Sequence, residues 1–155
     1  MKRTTLPAFQ TARRRLVVAV GLACTVPTAR GQTAWPAIPA LAALLGSRAL
    51  QTGRVNIEIP KLADNGNSVP LVVTVDSPMS AQDRVAVLHV FSERNPRPRI
   101  ASITLGPDVG RAQISTRIRL AGTQHIVAVA EMADGTLWGA VAEVIVTQSA
   151  CVDEP

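Results

Sequence analysis

From Arg54 to Gln148 the apolar residues recur with a period of two, in short runs stopped by Gly, Pro and Asn. Period two marks a strand with one face in a core, because successive side chains point to opposite faces. The expected strands are Arg54 to Ile59, Val69 to Asp76, Val85 to Ser92, Ile100 to Leu105, Ala112 to Ala121, Gln124 to Met132 and Thr136 to Gln148. They are separated by Pro60, by a polar turn centred on Asn65-Gly66, by Ser77-Pro78, by Asn95-Pro96-Arg97-Pro98, by a turn over Gly106 to Gly110 and by Asp134-Gly135. Asn-Gly is a pair that tolerates positive φ, and the two prolines of the Asn95 loop stiffen it. In the third strand Val85, Val87, His89 and Phe91 share a face. In the fifth, Ile114, Thr116, Ile118 and Leu120 oppose Arg117 and Arg119. Only Pro36 to Gln51 keeps helical spacing, through Ile38, Leu41, Leu44 and Leu45, with Pro36 and Pro39 suited to the first turn and Gly53 to the close. Short strands at regular spacing behind one helix predict an antiparallel β-sandwich.

With no Tyr, two Phe and two Trp, the core of such a sandwich must be built from Val, Ile, Leu and Ala. The net charge of +5 is misleading, because six of the sixteen basic residues precede Trp35 and all eleven acidic ones follow it. The basicity belongs to the first 34 residues and gives no case for nucleic acid. There Arg13-Arg14-Arg15-Leu16-Val17 leads an apolar run to Val26, too short to span a membrane as a helix. The Arg-Arg-x-Leu-Val order resembles a twin-arginine export signal, the alternative being an ordinary secretory signal with a basic start, and a small-residue cleavage region lies between Thr28 and Ala34. Residues 1–34 are therefore expected to be an export signal, and its removal also removes Cys24. The mature chain then holds one cysteine, Cys151, in an oxidising compartment, where it is free, paired with another molecule, or modified.

Other chemistry is thinly represented. His89 and His125, with Cys151 and Met132 or Met79, raise a copper site, but such sites cluster their ligands near the chain end, and only acidic groups follow Cys151. No ligand pair has zinc spacing, and no Gly-x-Ser-x-Gly elbow is present. His125 opens a strand and suits a surface, while His89 alternates with apolar residues and suits a core or edge. Trp138 reads as a packing anchor. Arg94, Arg97 and Arg99 gather around the proline loop, fitting either a solvated surface or attraction of an anionic partner or substrate. Neither cofactor nor metal is expected.

Cys151 follows a β-branched run, Val144 to Thr147, and precedes Val152-Asp153-Glu154-Pro155. At about 3.3–3.6 Å per extended residue, Ser149 to Cys151 are expected to reach roughly 10 Å past the sheet. A thiolate is the nucleophile, and Asp153 and Glu154 push the thiol away from that form. Activation must then come from the site the cysteine enters.

The chain resembles the SoxY family, the sulfur-carrier subunit of the periplasmic thiosulfate-oxidising (Sox) system. The resemblance rests on the block Ile59 to Pro70, on Val75-Asp76-Ser77-Pro78-Met79 and on Asn95-Pro96-Arg97-Pro98. It continues through Thr116 to Ala121 with Gln124, Ala128-Val129-Ala130 with Asp134-Gly135, and Val144 to Thr147. It implies an all-β, immunoglobulin-like sandwich that pairs with a second sandwich, a SoxZ-like subunit. It also implies that Cys151 carries sulfur intermediates covalently between a haem enzyme, which attaches thiosulfate, and a hydrolase, which releases sulfate. The chain itself is then a carrier and not an enzyme. Family members set this cysteine in a Gly-Gly-Cys-Gly-Gly arm, whereas here Ser149-Ala150 precede it and Val152 to Pro155 follow. The expected organisation is a signal over 1–34, a sandwich over 35–148 with a helix over 36–51, and a cysteine arm over 149–155. The competing reading is a SoxY-like interaction or regulatory module that no longer carries sulfur.

Overall fold

The computed structural model describes residues 34–150. The expected export segment lies outside the described residues but for its last position, and so do Cys151 and the tail to Pro155.

The one helix, α1 (Pro39–Leu45), opens on a proline in its first turn and is shorter than the 36–51 stretch expected. Gly46, not Gly53, ends it: φ is +56° there, and the Gly46 N–H donates to the Ala42 carbonyl at 3.0 Å. The chain then enters β1 (Leu50–Gln51). Ile38 and Leu41 bury themselves against Phe91, Val127, Val129 and Leu137, so α1 closes the outer face of the larger sheet.

The strands that follow are β2 (Val55–Glu58), β3 (Leu62–Ala63), β4 (Val69–Val75), β5 (Val85–Ser92), β6 (Arg99–Thr104), β7 (Gln113–Ile118), β8 (Gln124–Met132) and β9 (Leu137–Val146). One sheet has the order β1-β9-β8-β5-β6 with β3 also on β9, and the other has the order β2-β4-β7. The architecture is the expected sandwich. Its neighbours are antiparallel except at β9, where β1 and β3 both run parallel. Between the sheets lie Val69, Leu71, Val73 and Val75 of β4, packed with Leu88, Val90, Ile126, Ala128, Val144 and others. Each such buried aliphatic side chain is worth about 1.5–3 kcal/mol against leaving it in water. Among the described residues no aromatic ring is fully buried in this layer.

One face assignment needs correcting. Against β8 the register of β5 shifts between Val85 and Val87. The β-bulge turns Val85 inward with Leu88 and Val90, while Phe91 packs with α1 and has the His89 ring 6.1 Å away, centre to centre. A bulge adds one residue and so reverses the inside-outside parity of everything before it.

His89 is therefore a buried histidine on the Phe91 side of the sheet, only 7% exposed. Its Nδ1 is 2.8 Å from Ser102 Oγ, but its Nε2 has no hydrogen-bond partner among the described residues and lies 3.5 Å from Glu131 Oε2. Glu131 is instead engaged by Arg48 at 2.8 Å. Burial outweighs the pull of that carboxylate and lowers the His89 pKa. A depressed histidine is bound by more protons in the unfolded chain than in the folded one below about pH 6.5. Its contribution to stability is thus complete above that pH and is lost as pH falls toward the folded value. Glu131, held low by its hydrogen bond to Arg48, acts only further into acid. Thermal melts should show the midpoint falling between about pH 7 and pH 5.5. In His89→Gln the slope over that window should flatten while the loss at lower pH persists.

Candidate functional site

The candidate site is the end of β9 and the loops that hold it. On leaving the strand, the Thr147 N–H donates to the Ala63 carbonyl at 3.1 Å and its Oγ1 to the Asp64 carbonyl at 2.7 Å. The Gln148 carbonyl accepts from Gly66 N at 2.8 Å, the Gly66 carbonyl from Leu120 N at 2.9 Å, and the Leu120 carbonyl from Ala150 N at 3.0 Å. Thr123 Oγ1 accepts from Val146 N at 3.0 Å. The chain is thus tied at Val146, Thr147, Gln148 and Ala150. Of the stretch Ser149 to Cys151, expected to reach past the sheet, the Ala150 amide is held against the Leu120 carbonyl. The last anchored group sits one peptide bond before Cys151, which itself lies outside the described residues.

The mooring depends on Gly66 having no side chain. A Cβ there would collide with the Leu120 carbonyl oxygen and stand 3.1 Å from Ala150 N and 3.2 Å from Gln148 O. Positive φ is not the reason: Gly66 is absent from the positive-φ glycines, and the turn is made by Asn65, whose Oδ1 accepts from Asn67 N at 2.8 Å. The sequence marked the right dipeptide on a different physical ground.

The proline loop is hooked onto the same segment. Asn95 Oδ1 accepts from Ala121 N at 2.9 Å and from Gln124 Nε2 at 3.0 Å, and Asn95 Nδ2 donates to the Arg119 carbonyl at 2.8 Å. Gln124, buried to 2% exposure, uses both ends of its amide, because Oε1 also accepts from Arg94 N at 3.0 Å and Nε2 also donates to the Gly122 carbonyl at 3.1 Å. Arg94 Nη1 reaches back to the Thr123 carbonyl at 3.0 Å. A Cβ on Gly122 would stand 3.5 Å from Ser149 Oγ and 3.9 Å from Arg94 Nη1, so the arginine and the terminal segment both approach that glycine.

The neighbouring charges are largely committed. Glu93 Oε2 lies 2.7 Å from His125 Nδ1, and that hydrogen bond holds the Glu93 carboxyl below the usual range. Arg117 donates to Ser68 Oγ at 2.6 Å, so the expected Arg117/Arg119 stripe is half spent on a loop contact. Arg54 grips Asp83 at 2.7 Å and lies 5.4 Å from the ring centre of Trp138, which packs on the core as expected. Met79 and Met132 face the layer between the sheets, while His125 stands at the exposed start of β8. The structure therefore scatters the histidines and methionines across different faces. What sequence reasoning missed is the joint role of Gly66, Asn95, Gly122 and Gln124. Three of these lie in blocks that carry the resemblance stated above, and it is the blocks' meeting in space, invisible in sequence, that gives them meaning.

A family model described as "Sulfur oxidation protein SoxY" matches residues 41–151, which takes in Cys151. The sulfur carrier protein SoxY from Chlorobium limicola f. thiosulfatophilum has a similar structure, with TM-score 0.58 and 33% identity, covering 70% of this chain and 93% of that one. A superoxide reductase (neelaredoxin) from Ignicoccus hospitalis aligns with TM-score 0.56 at 16% identity over 63% of this chain and 94% of its own. The superoxide reductase from Nanoarchaeum equitans aligns with TM-score 0.52 at 16% identity over 62% and 100%. At that identity these two share the fold alone. No curated protein sequence matches.

Gly66→Ala tests the mooring. Overpacking of this kind costs about 1–3 kcal/mol. The variant should lose stability in that range, and hydrogen exchange at the Ala150 and Leu120 amides should quicken more than in the centre of β8.

Proposed function

This chain belongs to the SoxY family of sulfur oxidation proteins, and from that premise we propose that it carries sulfur intermediates covalently on Cys151. The observation that carries the reading is that the family match runs through Cys151, the one thiol left once the export segment is gone. The protein is exported to the periplasm by the twin-arginine route and works as a heterodimer with a SoxZ-like subunit. It is a carrier, and its partners supply the catalysis.

The chemistry has two steps. The Cys151 thiolate and the outer sulfur of thiosulfate lose two electrons to a haem enzyme and form a Cys–S–S–SO₃⁻ adduct. Water then attacks the sulfonate sulfur in the hydrolase, sulfate leaves, and the sulfane sulfur stays as a persulfide, Cys–S–SH, the proton coming from water. A carrier in this scheme must hold its thiol clear of its own core, yet in a defined place for two different active sites. The anchored amide of Ala150 supports that arrangement, because it sets the point from which the thiol departs. Neighbours such as Asp153 and Glu154 disfavour the thiolate until a partner's site stabilises it.

One observation favours a second reading. The flanking residues are not glycines and the chain is tied down through Ala150, which leaves less slack than a glycine arm gives. On that reading the protein binds its partner but no longer carries sulfur.

Intact-mass measurement of protein from thiosulfate-grown cells separates the two. Thiosulfonate or persulfide adducts, removed by reductant and missing in Cys151→Ser, are the expected result. Unmodified mass throughout, with partner binding retained, would leave the interaction module standing.

A further inference from the structure

Three adjacent strands bring together side chains that have no part in the cysteine chemistry. On the Phe91 side of the larger sheet, Ser102 Oγ of β6 lies 2.8 Å from His89 Nδ1 of β5, and His89 Nε2 lies 3.5 Å from Glu131 Oε2 of β8. A hydroxyl, a buried imidazole and a carboxylate thus stand in line across β6, β5 and β8. Arg48 holds Glu131 at 2.8 Å, and that bond keeps the carboxyl ionised at neutral pH.

The carboxylate decides which ring nitrogen carries the proton. With hydrogen on Nδ1, the Nε2 lone pair would face a negative oxygen; with hydrogen on Nε2, an N–H dipole faces it instead. The neutral ring therefore keeps its hydrogen on Nε2, and Nδ1 accepts from the Ser102 hydroxyl. Ser102 is exposed, so its oxygen offers lone pairs to solvent while its proton already points at a base. The same residue supplies a donor for a developing oxyanion. Leu105 N–H donates to the Ala86 carbonyl at 2.9 Å, and in that register His89 pairs with Ser102. Hydrogen-bonded and non-hydrogen-bonded pairs alternate along an antiparallel ladder. The Ser102 N–H accordingly points away from β5, to the side of β6 where no further strand lies among the described residues.

We propose that Ser102 is a covalent acyl-acceptor site, activated by His89 as base and oriented through Glu131, whose reagents are small activated carboxylic esters. The site is independent of Cys151 and of the carrier reading. In the step, Ser102 Oγ bonds to the ester's carbonyl carbon, and the leaving oxygen departs with the electron pair of the broken C–O bond. The serine proton passes to His89 Nδ1 and from there to the leaving group or to water. The imidazolium formed on the way is stabilised by Glu131 and opposed by Arg48, which follows α1, and by Arg99 of β6. Burial holds the ring neutral at neutral pH, the form that acts as a base. The product is an O-acyl serine, a stoichiometric modification and not a turnover cycle.

The probe is p-nitrophenyl acetate, with peptide mass spectrometry to locate the acetyl groups. Hydroxylamine, which cleaves esters and spares amides, separates serine adducts from lysine adducts. Ser115, exposed on β7 and bonded to no histidine among the described residues, is the internal reference. A positioned base is worth typically about 10²–10⁴-fold, so Ser102 should be acetylated at least about a hundredfold faster than Ser115. The Ser102 rate should level off above neutral pH and fall as His89 takes up a proton, below the usual histidine value of about 6.5. In His89→Gln, checked for a cooperative melt, it should drop to the level of Ser115. Equal rates at the two serines in the wild-type chain overturn the proposal without recourse to any variant. So does a Ser102 rate that climbs with hydroxide at every pH, or one that His89→Gln leaves unchanged.

Discussion

The constraint on which the rest depends is the double pairing of β9. This ten-residue strand bonds to β8 along one edge and to β1 and then β3 along the other. Its inner residues Val144 and Val146 belong to the core between the sheets, and Leu137 packs in the cluster with the helix on the outside. The helix, both short parallel strands and the terminal segment are all positioned by reference to it. Its last two residues, Ile145 and Val146, pair with Leu62 and Ala63, and that pairing brings the Asn65-Gly66 turn under the departing chain. Everything proposed for the cysteine follows from this approach.

What was legible in the sequence was governed by local periodicity. β5 and β8 begin and end where alternation and turn residues place them, and the other long strands differ only at their ends. The two-residue strands β1 and β3 were not legible, because two residues cannot display a period and their pairing is with a strand some eighty positions away. The helix was overestimated because Ala, Leu and Arg beyond Gly46 are good helix formers, while the stop comes from a glycine cap that the apolar spacing hides. The parity of β5 was misread for a related reason: a bulge is invisible unless both strands are known.

The site divides in the same way. Cys151 was expected from its position and from the family resemblance, whereas the supports of the segment before it were not, because no local rule links Gly66, Asn95, Gly122 and Gln124. A glycine demanded by the absence of Cβ looks, in one sequence, like a glycine demanded by backbone angle. The arginines of the proline loop looked equivalent, and only the folded chain separates Arg94, tied to the Thr123 carbonyl, from Arg97. A buried amide with every donor and acceptor spent, as at Gln124, fixes a loop more firmly than the prolines beside it, since removing any member leaves a desolvated polar group behind.

The parallel placement of β1 and β3 against β9 carries a temporal consequence. Leu50 cannot meet Leu137, nor Leu62 meet Ile145, until a strand more than eighty residues further on has left the ribosome. Neither short strand has a partner within the first half of the nascent polypeptide, and closure of so wide a loop is slow. The β5-β8 pairing joins strands closer in sequence, so its loop closes at a smaller entropic cost than those of β1 and β3.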